Sequence, residues 1–338
     1  MTELPTLKTR LPYIDSLKGF AILLVVLGHV LQYYYPDGNF CYRAIYSFHM
    51  PLFMFVSGYV SYKAVEWDVV KKRAIQLLIP FFSYIFLKYG MDIVFDDVDC
   101  SLLAFMVHAI IRPDTGLWFL WALFYITILF IACRKISMRI HIKEWIVFLV
   151  MAAMLNGIVV LGHVKIFGFH WIAWYFIFYS VGAFWRDCSV RRPNHRNDVA
   201  IFVCSFVLFA MMVPFFRMHN EAPTFYQWID LVPYFPIIYR IVIGFTGIAF
   251  CYELFKLYGG NSLYSRFLQK LGGVTLGIYY IHFQVIRILC LINWEGASTP
   301  IAVIIVTMFG TVISYFLTLV CARNWMASLL ILGVKRKF

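Results

Sequence analysis

A succession of apolar runs, each about twenty residues long, recurs along this chain from residue 14 to residue 322. A helix of ~20 residues is what the ~30 Å hydrocarbon core of a bilayer demands. A soluble domain of 338 residues has no interior large enough to hide so much apolar surface. The runs are too long for barrel strands and lack their strict alternation. They therefore read as helices, which satisfy every backbone N–H and C=O without water. We place spans near 14–34, 45–62, 74–92, 117–133, 144–162, 168–185, 198–215, 231–255, 271–292 and 301–322. A shorter run, 101–112, reads as an interfacial segment. The composition agrees: 62% hydrophobic, 14% charged, mean hydropathy +0.79. The predicted fold is all-α, a polytopic bundle of about ten transmembrane helices forming a single domain over residues 1–338.

Charge sets the expected orientation. With both termini in the cytoplasm, every inner segment is basic, for example Lys63 with Lys71, Lys72 and Arg73, or Arg134 with Lys135 and Arg139. No outer loop is strongly basic, as the positive-inside rule requires. The net charge of +12 is thus mostly topology. No basic stripe with interleaved aromatics suggests nucleic-acid binding. Residues 1–13 are polar and no small-residue cleavage site follows the first run, so the N-terminus does not read as a cleavable signal. The eight cysteines show neither CxxC nor a Cys/His metal spacing, and no metal is expected. Cys41 and Cys100 both fall in outer loops, where they could pair or remain free.

The first span carries ionisable groups that lipid would not tolerate. In "DSLKGFAILLVVLGH", Lys18 and His29 are eleven residues apart, about 20° past three full turns and about 16 Å along the axis. Asp15 lies a turn below Lys18 and Gln32 a turn above His29, so the four make one polar stripe. Buried ionisable groups cost at least ~2.5 kcal/mol each on insertion scales, so this stripe must face a polar interior or cavity. One reading has Asp15 and Lys18 at the interface and His29 hydrogen-bonded to a neighbour. The other has a basic anchor at a channel mouth and a general base deep inside. Histidine suits that task because its unperturbed pKa is ~6.5.

"YSFHMPLFMFVSGYV" follows in the second span. Together with the Lys18/His29 pattern, it resembles the acyltransferase-3 family of integral membrane O-acyltransferases. "KKRAIQLLIPFF" resembles that family's basic motif opening the third helix, "LWFLWALF" its Trp-Phe-Leu segment, and "LGIYYIHF" its late motif ending in histidine. These motifs occur in the family's order over most of the chain. One departure stands out: where the family commonly has a second arginine three residues after Arg73, this chain has Gln76. The resemblance implies transfer of an acyl group, usually acetyl, from cytoplasmic acyl-CoA to a hydroxyl of a cell-surface glycan or glycolipid. It implies a multi-pass protein of a bacterial inner membrane, with acetyl-CoA, a glycan or lipid-linked sugar, and membrane lipids as partners. Lys18, Lys72 and Arg73, with Gln76, would hold the phosphates. His29 would act as general base or acyl carrier, with Asp15 in support.

Other polar residues carry paired readings. His49, before Pro51, is either an acyl-site contact beside His29 or a hydrogen bond fixing the bend. Ser57, before Gly58, is a small residue for close helix approach or a cofactor contact. His282 and Tyr279 share a face and could meet the acceptor. Arg287 and Arg240 could bind an acidic sugar, or form ion pairs with Asp230, Asp92 or Glu295. Trp118 is a packing residue or a sugar platform. The chain ends just after its tenth span, which suggests no additional soluble domain. Two other classes fit the same residues: a solute or proton-coupled transporter relaying protons through His29, His49 and His282, and a cytochrome with paired histidine ligands.

Overall fold

The structure, a computed structural model, describes residues 11–35, 39–96, 100–113, 117–191, 195–217, 235–260, 262–292 and 299–334. Every regular element among them is helical. In chain order these are α1 (Pro12–Tyr34), α2 (Phe40–Val60), α3 (Trp67–Phe95), α4 (Leu102–Ile111), α5 (Trp118–Ile140), α6 (Glu144–Gly162) and α7 (Phe169–Arg191). There follow α8 (His195–Met212), α9 (Phe235–Tyr258), α10 (Leu263–Gly272), α11 (Thr275–Leu291), α12 (Thr299–Cys321) and α13 (Trp325–Leu332). Among the described residues eight helices are long and apolar enough to cross a membrane, and the bent pair α10–α11 makes nine. Helix α2, with 21 residues, is also long enough at 1.5 Å per residue but is more polar. These elements occupy the ten expected positions.

Burial explains which helices can be polar. Helix α6 has mean hydropathy 2.3 over its most apolar stretch, only 17% of which is buried. Helix α1 has 1.8, with 67% buried. The peripheral helix meets lipid and must be apolar on nearly every face. The central helix meets other helices and can carry Asp15, Lys18 and His29. Helix α1 packs against α2, α10, α11 and α12. At its crossing with α10, a Cβ on Gly272 would collide with the Asp15 carbonyl, and one on Gly19 with the Leu268 carbonyl. Two backbones touch there, and only glycine permits it.

Three features differ from the sequence expectation. The third span begins at Trp67 rather than 74 and contains a π-helical turn, Ala74–Leu78. Pro80 has no N–H to offer the Gln76 carbonyl four residues back, so the regular ladder is already broken at this point. The ninth span is not one rod from 271. It bends by 83° between α10 and α11, at the Gly272–Gly273 pair. A short helix, α13, follows the last span and docks on α3, where Ser83 Oγ donates to the Leu330 carbonyl at 2.5 Å. Of the two states open to Cys41 and Cys100, the structure has the free, exposed one. Lys8, Arg10, Arg192, Asp230, Glu295 and the basic tail 335–338 lie outside the described residues.

Candidate active site

A cavity of about 390 Å³ opens among α1, α2, α3, α5 and α11. Lys18, Ser57, Arg73, Gln76 and Tyr279, five residues singled out from sequence, all line it. Its cationic end is built from the start of α1 and the π-turn of α3. Arg73 donates from Nη1 to Gln76 Oε1 at 3.1 Å and from Nη2 to Ser61 Oγ at 2.9 Å. Gln76, standing where the family has a second arginine, thus orients the first. Lys18 donates to Asp15 Oδ1 at 3.4 Å, an i,i+3 pair on α1. The first turn of α11, Thr275 to Gly277, lines the same space. The first N–H groups of a helix have no intrahelical partner and carry partial positive charge. This end suits an anion. Leu332 and Val334 close the wall. Gly333, at φ +59°, lies on the Gln76 backbone so closely that a Cβ would collide with it.

Toward the other end the lining turns apolar and aromatic, with Ile22, Met50, Phe53, Phe119 and Tyr279. Three histidines sit immediately behind that wall. The His29 and His282 rings lie 5.2 Å apart between centroids. His49 meets Tyr46 edge-on at 4.8 Å. Tyr279 stacks on His282 at 5.8 Å and meets Phe119 edge-on at 5.7 Å. His282 is buried, and its Nδ1 lies 3.0 Å from the Ile278 carbonyl and 2.8 Å from the Tyr279 carbonyl. A carbonyl can only accept, so the proton is on Nδ1 and Nε2 is bare. That Nε2, and His29 Nδ1, are buried without a hydrogen-bond partner among the described residues. His49 Nδ1 is tied to the Ile45 carbonyl at 2.7 Å, one turn back on its own helix. Gln32 reaches the His29 ring and accepts from Tyr46 at 3.3 Å.

The remaining candidates are placed elsewhere. Lys72 is exposed and does not line the cavity. Arg287 pairs with Asp92 at 2.9 Å and Asp96 at 2.6 Å, and Asp92 also holds Lys88. Of the readings open for Arg287, the structure has the ion pair that joins α11 to α3. Arg240 lies over the rings of Trp174 and Phe216, at 5.4 and 5.9 Å. Trp118 stacks with Trp171 at 4.8 Å and Tyr175 at 5.3 Å, in an aromatic cluster outside the cavity lining. Sequence reading missed Ser61, and it missed a buried network in which Tyr59 bonds Tyr13 at 2.6 Å, Tyr252 at 3.1 Å and Arg186 at 3.0 Å. Residues scattered over four helices leave no spacing to read. Among the described residues no group of three or more His, Cys, Asp or Glu side chains is placed to hold a metal.

The arrangement can bind an anion at one end and enclose a flexible apolar arm, with histidines packed behind the aromatic wall at the other end rather than lining the cavity. Comparison with known proteins agrees. The acyltransferase domain of the acyltransferase-3 family matches residues 11–320. The chain is 28% identical over 317 residues to the nodulation protein NolL of Sinorhizobium fredii (strain NBRC 101917 / NGR234), spanning 84% of this chain and 81% of that one. It is 33% identical over 158 residues to NolL of Mesorhizobium japonicum (strain LMG 29417 / CECT 9101 / MAFF 303099), spanning 39% and 38%. No solved structure matches the chain. A family match over nearly the whole helical bundle, with the basic and histidine motifs meeting around one cavity, identifies the chain as a member of the acyltransferase-3 family, a multi-pass membrane acyltransferase.

Proposed function

We propose that the protein transfers a short acyl group, acetyl in the first instance, from cytoplasmic acyl-CoA to a hydroxyl of a glycan or lipid-linked sugar. The observation that carries this reading is the cavity that joins Lys18 and Arg73 at one end to the wall beneath His29 at the other. The phosphates of the donor sit against Lys18 and Arg73, with the exposed Lys72 adding charge near the mouth. Asp15 holds Lys18, Gln76 holds Arg73, and Ser57 contacts the arm. The pantetheine arm runs along the apolar walls. The rise from Lys18 to His29, about 16 Å, is comparable to the length of that arm. His29 then meets the thioester as base or nucleophile, with His49 beside it.

The acceptor approaches from the opposite side. His29 is half-buried as a residue and Gln32, one turn beyond it, is exposed. His282 and Tyr279 border the meeting point. Arg240, and more remotely Arg287 and Trp118, shape the outer end of the bundle. The two relatives are nodulation proteins, so an acceptor related to nodulation is the first to try.

The test is acetyl-CoA turnover in membrane vesicles of the host membrane. CoA release should fall at least ~100-fold in His29→Ala, the size of a general acid–base contribution. Arg73→Ala should raise KM for acetyl-CoA. Absence of both turnover and acetyl-CoA binding in folded protein would sink the donor assignment and return the transporter as the leading alternative.

A further inference from the structure

Two histidines with bare nitrogens meet behind the cavity wall, although base catalysis needs one. His282 is 2% exposed. Its Nδ1–H is committed to two carbonyls of its own helix, which fixes both tautomer and ring orientation. Its Nε2 is therefore a permanent acceptor, and nothing among the described residues donates to it. An unsatisfied buried acceptor costs about 1–3 kcal/mol, and a packing residue has no reason to carry that. The ring opposite is His29, 5.2 Å away, also with an unpartnered buried nitrogen.

We propose that the two divide the reaction: His29 carries the acyl group covalently, and His282 Nε2 is the base that activates the acceptor hydroxyl. The proposal rests on the acyl-CoA donor reading above. In the first step the lone pair of the bare His29 nitrogen forms a bond to the thioester carbonyl carbon. The C–S bond breaks, its electron pair leaves with the CoA sulfur, and the proton on the other His29 nitrogen passes to that sulfur. The products are CoA thiol and a neutral N-acylimidazole. In the second step His282 Nε2 takes the acceptor O–H proton as the oxygen attacks the acyl carbon. The C–N bond breaks and its pair returns to His29. The proton then moves from His282 to the His29 nitrogen that lost one, which restores both rings. A single histidine does this poorly, because the acyl group withdraws electrons from the ring and leaves its second nitrogen a weak base.

The experiment uses the full-length protein in lipid nanodiscs with radiolabelled acetyl-CoA and no added acceptor. His282→Gln keeps a donor for the Ile278 and Tyr279 carbonyls, and His282→Asn serves as the second variant. Thermal unfolding and acetyl-CoA binding establish that each is folded. In the His282 variants we expect a burst of CoA close to one equivalent per chain. An equal amount of label should stay on the protein and be released by neutral hydroxylamine, and steady-state CoA release in vesicles of the host membrane, which carry the acceptor, should be at least ~100-fold below wild type. His29→Gln should acquire no label. A merely structural role for His282 would lower the burst and the turnover together and trap nothing. Folded, donor-binding His282 variants that acquire no label, or that turn over at the wild-type rate, would overturn the division of labour while leaving the donor reading intact. A wild-type protein that releases no CoA from acetyl-CoA would overturn both.

Discussion

Arg73 shows how much a single substitution in a motif can hide. Gln76 accepts from its guanidinium at 3.1 Å and Ser61 at 2.9 Å, so two neutral side chains hold one cation over the cavity. A hydrogen bond to a charged group is worth about 1.5 kcal/mol or more. Gln76→Ala should accordingly raise KM for acetyl-CoA about 10-fold and change kcat little, as steady-state CoA release would measure. An equal loss in kcat would mean that Gln76 acts on the reaction and not on donor binding. Arg287 makes the opposite case. It joins the buried Asp92 and the nearby Asp96, and its removal weakens the compensation of a carboxylate inside the bundle. Breaking a buried pair from one side costs about 3 kcal/mol, so Arg287→Ala should lower Tm strongly in detergent, and Arg287→Lys should recover part of the loss. A variant of unchanged Tm with impaired acceptor transfer would instead make Arg287 an acceptor contact. Lys18 and His29 stand out in sequence because charge within an apolar run has few bland explanations, and Arg73 because it opens the third-helix motif; the structure brings Lys18 and Arg73 to one cavity and leaves His29 outside its lining. Ser61 does not stand out, since serine is ordinary there and its partner lies twelve residues on.

At the scale of elements, the apolar runs predicted the helices well, because lipid enforces length and composition together. The apolar run predicts helix α6 over 144–162, the bounds it has in the structure. The errors occurred where backbone geometry and not hydropathy decides. The bend at Gly272–Gly273 and the π-turn before Pro80 leave the hydropathy profile unbroken, yet both line the cavity. Pro80 and the glycine pair were the available signals. The π-turn has a definite consequence: it holds one residue more than the helical register needs. Deleting Ile75, which is exposed, should restore an α-helical ladder and rotate the preceding turn by about 100°. Arg73 would then leave the cavity while α3 keeps its place beyond Pro80. The expected result is at least a ~10-fold rise in KM for acetyl-CoA (~1.4 kcal/mol) in a protein that still folds, checked by CoA release beside a thermal melt. Unchanged KM would mean that Arg73 does not hold the donor.

For the whole molecule, orientation connects the cavity to its proposed donor. The end of the bundle bearing Lys18 and Arg73 also bears Lys63, Arg134, Lys135, Arg139, Lys256, Lys270 and Arg323, at the corresponding ends of α2, α5, α9, α10 and α12. The opposite end has Arg43, Arg112, Lys165 and Arg217, more widely spread. Under the positive-inside rule the expectation is a cavity mouth facing the cytoplasm, the compartment that would supply acyl-CoA. Exposed cysteines make this testable without engineering. Cys41 and Cys100 are exposed at the end away from the mouth, and Cys188 is exposed near the mouth end. A membrane-impermeant maleimide added to intact cells should modify Cys41 and Cys100 and spare Cys188, which should react only after permeabilisation. Peptide mass spectrometry reads out each site separately. The reverse pattern would place Lys18 and Arg73 outside, where no acyl-CoA pool reaches them. It would then follow that the anion held at that end belongs to the acceptor, and that the His29–His282 pair is charged with acyl groups from the other side.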